Sequence, residues 1–247
     1  MQPQLQQVPA DRPGSFSGLL TIFYSPADTF TVAAKRAWLV PLIAVCLLTF
    51  IMNSVIVNRV GLGTIVRNQL ESNASMAERL GPDGVAKAVE RAETSTVQKT
   101  LTYVAPPIAV AVILAAVAGI TLGLLLVGGG STNYTAVLTS GAWTMYAVMA
   151  VTCAGSIATV YARTDFQGVD VHRLFALNAG IFASEGSPVT RALLSGIDLL
   201  AFWGIFLNTI GLTKLSERVS TGLALGVLIA IHLVFTGIRA GWAAMVG

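Results

Sequence analysis

Charge is what this chain has least of. Of its 247 residues only 11% are Asp, Glu, Lys or Arg, where a soluble domain carries about 25%. Too few charges are present to coat a water-soluble globule of this size, so lipid is the expected solvent. The net charge of +3 is mild, and the basic residues flank apolar runs instead of forming a block. A nucleic-acid footprint is therefore not expected. There are two cysteines, Cys46 and Cys153, both inside apolar runs, and they read as small buried hydrophobes. HExxH, GxSxG, CxxC, a P-loop and a helix-opening GxGxxG are missing, and no span carries two carboxylates on one face. The expectation is no catalysis, no cofactor and no metal. The first fifteen residues, MQPQLQQVPADRPGS, have neither the basic start nor the apolar core of a secretory signal. They read as a disordered tail, 1–15, ahead of a single domain over 16–247, with the first span acting as an uncleaved insertion signal.

Apolar runs are what the chain has in abundance, at 54% hydrophobic residues. A bilayer core about 30 Å thick takes about 20 apolar residues as a helix. Five runs meet that length: 37–57, 106–127, 138–161, 192–213 and 219–240. Backbone groups in lipid must be satisfied within a segment, which makes the runs helices. Strand-like alternation at ten-residue spacing, the mark of a barrel, is missing. The expected fold class is all-α: a polytopic membrane protein, a bundle of five transmembrane helices with interfacial amphipathic helices.

Three connecting regions have character. In YSPADTF, Ser25 suits a helix cap, Pro26 its first turn, and Asp28 the position where a negative charge favours the helix start. With Phe30, Ala33 and Ala34 on one face, the segment reads as a short interfacial helix or a capped extension of the first span. The stretch 58–100 holds six basic and five acidic residues and is broken at GPDG, 81–84. Beyond the break, Val85, Val89, Ala92 and Val97 recur at near-helical spacing, which predicts an amphipathic helix running to Pro106–Pro107. The third region, 163–188, mixes charges with Leu174, Phe175, Leu177, Ile181 and Phe182 and reads as an interfacial, wetted loop. Asp170 and His172 are too few to make a metal site.

Small residues form two stripes, Ala115, Gly119 and Gly123 in the second run and Gly222, Gly226 and Ala230 in the fifth. Such stripes let helix backbones approach closely enough for dispersion to act. Packing within the bundle is the first expectation, and packing between copies the second.

One residue is out of keeping with the fourth run. Asp198 lies seven residues after Arg191, about 10 Å below the start of the span. A hairpin folded near residues 215–216 brings His232 to the same depth. An imidazole can stabilise a carboxylate there, neutral or charged. The alternatives are Asp198 bonded to a hydroxyl or a backbone carbonyl at a helix break, Asp198 kept neutral, or Asp198 held near the interface with Arg191. Thr152 and Ser156 reach comparable depth, and Asn208 adds a second interhelical bond on the other side. An ionisable residue at depth points to function by default. A polar clasp fixing helix register is favoured over a proton or ion relay.

Several stretches resemble the Yip (Ypt-interacting protein) domain family in its bacterial form, over about 18–240. Ser25, Pro26 and Phe30 look like the family's opening Ser-Pro followed by Phe. Trp38 and Pro41 are similar to its lead into the first span. Asp198, Phe202, Trp203 and Gly211, in GIDLLAFWGIFLNTIGL, resemble its fourth-span pattern. The resemblance implies a five-helix bundle with a cytoplasmic amino terminus, held in the cell membrane and associating with itself or other membrane proteins. Eukaryotic members associate with small GTPases and shape vesicle traffic. The acidic-aromatic-Gly-Pro motif that marks those members is missing here, so GTPase binding is not expected. Lys and Arg counts point the other way on topology, with five on the amino-terminal side against ten on the opposite side. A small transporter or channel component using Asp198 and His232 is the second functional expectation.

Overall fold

The computed structural model describes residues 17–32, 37–71, 74–183 and 187–246; the tail expected over 1–15 lies outside them. Among the described residues there is helix and no strand. Four helices are long and apolar enough to cross a membrane. They are α3 (Leu39–Val60), α6 (Thr96–Val127), α7 (Tyr134–Ala162) and α10 (Thr221–Val246). Shorter elements are α1 (Gly18–Tyr24), α2 (Pro26–Val32), α4 (Leu62–Glu71), α5 (Ala74–Thr94), α8 (Pro188–Leu194) and α9 (Leu199–Leu215).

The fourth apolar run differs from its expectation. It is not one helix but α8 and α9 separated by a break at 195–198. At 17 residues, α9 is about 26 Å long, short of the ~30 Å hydrocarbon core. The second run begins earlier than expected. Ser95 caps α6, its hydroxyl accepting from Gln98 N at 3.3 Å, and the helix continues through Pro106 and Pro107.

The long helix α7 is the axis. Apolar residues surround it, and it packs against α3, α6, α9 and α1. Its buried Val137, Leu138 and Ala142 join α6, α9 and α10 through Leu114, Leu212 and Leu228. On another side Trp143 and Ala147 meet Ile22, Phe30 and Leu207. Val160 meets Ile56, Val60, Ile65 and Leu174. Both thiols face carbonyls across helices, Cys46 towards Pro107 O and Cys153 towards Leu48 O, each at 3.7 Å.

The segment read as a short interfacial helix turns one face to the core, with Ile22, Thr29 and Phe30 buried and Leu20, Tyr24 and Val32 exposed. Ser25 donates to the Asp28 carboxylate, and Thr29 N donates to Ser25 O at 3.1 Å, so the predicted start of α2 forms. Phe30 is then fully buried, because α1 and α2 make a hairpin pinned by the Thr21–Thr29 hydroxyl pair at 2.7 Å. Gly211 makes room for it. A Cβ at 211 would lie 2.2 Å from Ser140 Oγ and 2.8 Å from the Phe30 ring.

The two ends of the bundle are tied differently. At one end Ser131 and Arg218 exchange backbone hydrogen bonds of 2.9 and 3.1 Å, joining the α6–α7 and α9–α10 loops. At the other, α4 packs on α5, which kinks at Gly81 (φ 63°) within the expected GPDG break. There Asn68 donates to Phe166 O at 2.6 Å and Val169 O at 3.0 Å and accepts from Gly168 N. One buried amide thus holds the turn after α7.

Replacing Gly211 by Ala is expected to destabilise the detergent-solubilised protein by about 1–3 kcal/mol through overpacking. Gly237→Ala, where nothing lies within 4 Å, should be close to neutral. Thermal unfolding of both variants checks the contrast.

Candidate functional site

The break between α8 and α9 gathers the polar groups. α8 closes with tightened bonds, Gly196 N to Leu193 O at 3.0 Å and Ile197 N to Leu194 O at 2.9 Å. Asp198 is then extended (φ −124°, ψ 124°) and caps α9. Its Oδ1 accepts from Leu200 N at 2.7 Å and Ala201 N at 3.0 Å. Its Oδ2 accepts a long 3.4 Å contact from Asn178 Nδ2. A β-bridge joins Asn178 to Asp198. Through it Ala179 N donates to Ile197 O and Leu199 N to Leu177 O, both at 3.0 Å.

His232 lies at this level but does not bind Asp198. Its Nε2 stands 2.8 Å from Gly196 O. A carbonyl only accepts, so Nε2 carries the proton. The depth expected from the hairpin is met, while the imidazole's partner is the carbonyl that the break strands. Phe202 stacks obliquely on the ring, with centroids 5.9 Å apart. Gly196 allows α10 this close: a Cβ there would lie 2.6 Å from Thr236 Cγ2. Gly180 does the same for the 178–182 turn, where a Cβ would lie 2.3 Å from Ser195 Oγ.

The other expected members of the cluster lie elsewhere. Asn208, two to three turns further along α9, makes the second interhelical bond expected of it: Ser140 Oγ of α7 donates to its Oδ1 at 2.5 Å and to its backbone O at 3.2 Å. Thr152 turns to its own helix, bonding Val148 O at 2.9 Å. Ser156 is buried on α7. Asp170 pairs with Arg173 at 3.1 Å on the surface, a contact worth little, and the side chain of His172 lies outside the described residues. Among the described residues no group of three or more His, Cys, Asp or Glu could hold a metal ion.

The two stretches with family-like residues meet each other. Phe30 packs over Gly211, and Phe23 stacks on Trp203 with centroids 6.1 Å apart. Pro41 is buried near the start of α3 and Trp38 packs on the core. Among the described residues the glycines of the small-residue stripes meet no other helix, although Ala115 O accepts from the Tyr134 hydroxyl of α7 at 3.0 Å. A methyl group on Gly119, Gly123, Gly222 or Gly226 would find no neighbouring atom within 4 Å. The expectation that they pack within the bundle is corrected on that ground.

Sequence reasoning missed Asn178, Gly196 and Asn68. Gly196 had a signal: Ser195-Gly196-Ile197-Asp198 before an apolar run is a helix stop followed by a cap. Compared with protein-family models, curated proteins and solved structures, the chain matches none.

Asp198→Ala is expected to cost about 0.5–2 kcal/mol through the lost cap, and Asp198→Asn, which still caps, a fraction of that. His232→Leu should cost about 1–3 kcal/mol by stranding the Gly196 carbonyl. Unfolding of the purified variants in detergent reads all three.

Proposed function

We propose that this is a non-enzymatic, multi-pass membrane protein of the Yip type that acts by associating with itself or other membrane proteins. One observation carries the reading. The stripe glycines Gly119 and Gly123 of α6 and Gly222 and Gly226 of α10 face open space among the described residues, and α10 is the least buried of the four long helices. Burial alone cannot drive helices together in lipid, so surfaces that permit close backbone approach are where association occurs. Asp198 and His232 serve the clasp reading better than the relay: one is occupied with backbone N–H groups and the other with a carbonyl.

The reading includes five crossings, the fourth made in two pieces by α8 and α9. It is supported by the Ser131–Arg218 pairing, which sets the end of α9 beside the start of α7. The chain leaves α7 at its far end and must return. Short, interrupted helices of this kind are tolerated where protein satisfies the freed backbone. We place the amino terminus in the cytoplasm of a cell-membrane protein, as the family resemblance implies.

Single cysteines at Glu90 and Ser216, in a chain with Cys46 and Cys153 replaced by Ala, test the topology. Labelling from opposite sides is expected, with residue 216 cytoplasmic; labelling from one side would remove the fifth crossing. For association, Gly222→Ile with Gly226→Ile should abolish crosslinked or energy-transfer dimers in vesicles while leaving the melting temperature near that of the native chain. Undiminished association would sink the reading.

A further inference from the structure

A groove between α9 and α10 encloses about 420 Å³. Its walls are Phe202, Phe206 and Ile210 from one helix and Leu225, Ile229 and Leu233 from the other. On each helix they recur every four residues, so the groove follows the helix axes. The end beside the connecting loop, its mouth, is lined by Thr213 and Thr221, and the other end by Phe202, His232 and Leu233. From Thr221 to His232 the helix rises about 17 Å, close to half of the ~30 Å hydrocarbon core. The groove is one leaflet deep.

Its interior offers a ligand little to bond. Thr209 and Thr213 donate to carbonyls of their own helix, Ile205 O at 2.8 Å and Ile210 O at 2.9 Å. Its mouth is different. Lys214 and Arg218 lie in the chain between Thr213 and Thr221, both are exposed, and neither side chain is ion-paired among the described residues. Lys214 follows Ile210 by four residues, on the same face of α9. Glu217, also exposed, is the opposing carboxylate and leaves one positive charge in excess. A partner helix, about 10 Å across with its side chains, is too broad for a slot between two helices already in contact. A single hydrocarbon chain is not.

We propose that this groove holds one acyl chain of an anionic phospholipid, its phosphate resting against Lys214, Arg218 and the Thr221 hydroxyl. The chain supplies apolar surface over one leaflet's depth, and the headgroup supplies the charge that the mouth lacks. Each basic residue near an anionic membrane surface adds about 1 kcal/mol of attraction. The inference goes beyond the association reading and needs only that the helices lie in a bilayer.

Native mass spectrometry of the detergent-purified full chain tests it. The protein is offered equal amounts of phosphatidylglycerol and phosphatidylcholine with identical chains. A marked excess of bound phosphatidylglycerol is expected. Lys214→Gln and Arg218→Gln should each weaken it about fivefold. Arg239→Gln, near the far end of α10, should leave it unchanged. Ile229→Trp, which fills the groove from a half-exposed position, should weaken both lipids, and Leu225→Phe serves as a second filling variant. Equal binding of the two lipids by the native chain, or undiminished binding by a folded, filled variant, overturns the proposal.

Discussion

A backbone polar group far from water must find its partner in the protein, and the α8–α9 break is where this chain meets that demand most severely. Interrupting a helix frees N–H groups on one side and carbonyls on the other, each costing several kcal/mol in hydrocarbon if left alone. Here Asp198 takes two N–H groups. The extended segment 177–179 takes a third and supplies a donor to Ile197 O. His232 reaches across from α10 for the carbonyl of Gly196. The side chains at the break are thus determined by what the backbone is missing. The glycines at 180 and 196 bring the three segments close enough for those bonds to form.

Glycine has two uses in this molecule. Gly155, Gly196 and Gly211 sit where another segment presses on the backbone, and a single added carbon would strike the Phe175 ring, the Thr236 side chain or the Phe30 ring. Gly119, Gly123, Gly222 and Gly226 face open space. Periodic spacing does not identify the locking use. The glycines with the recognisable period were the ones with no neighbour among the described residues. The glycines that do lock helices together, such as Gly211 and Gly196, stand alone in sequence.

Four long helices were legible because apolar length is a one-dimensional property. The break at 195–198 was only one of the alternatives for Asp198, although a serine, a glycine and then an acid within four residues mark a helix end and a new start. The apolar residues on either side concealed it. The level of His232 followed from counting residues back from a hairpin, but counting fixes depth and not rotation about the axis. That is why the partner turned out to be a carbonyl two residues before Asp198. Asn68 was beyond reach: its contacts lie about a hundred positions away, at Phe166, Gly168 and Val169, and local pattern says nothing about such pairs. The inward turn of α2 was hidden for the same reason. Phe30 reads as interfacial until Gly211 is seen to leave a hollow for it.

That hollow has a consequence for biosynthesis. Ile22 and Phe30 leave the ribosome early, while Leu207 and Gly211, which cover them, are among the last parts of the domain to be made. Through most of translation the opening hairpin is without its lid, and its aromatic and aliphatic side chains must be sheltered by lipid or by a helper until α9 arrives.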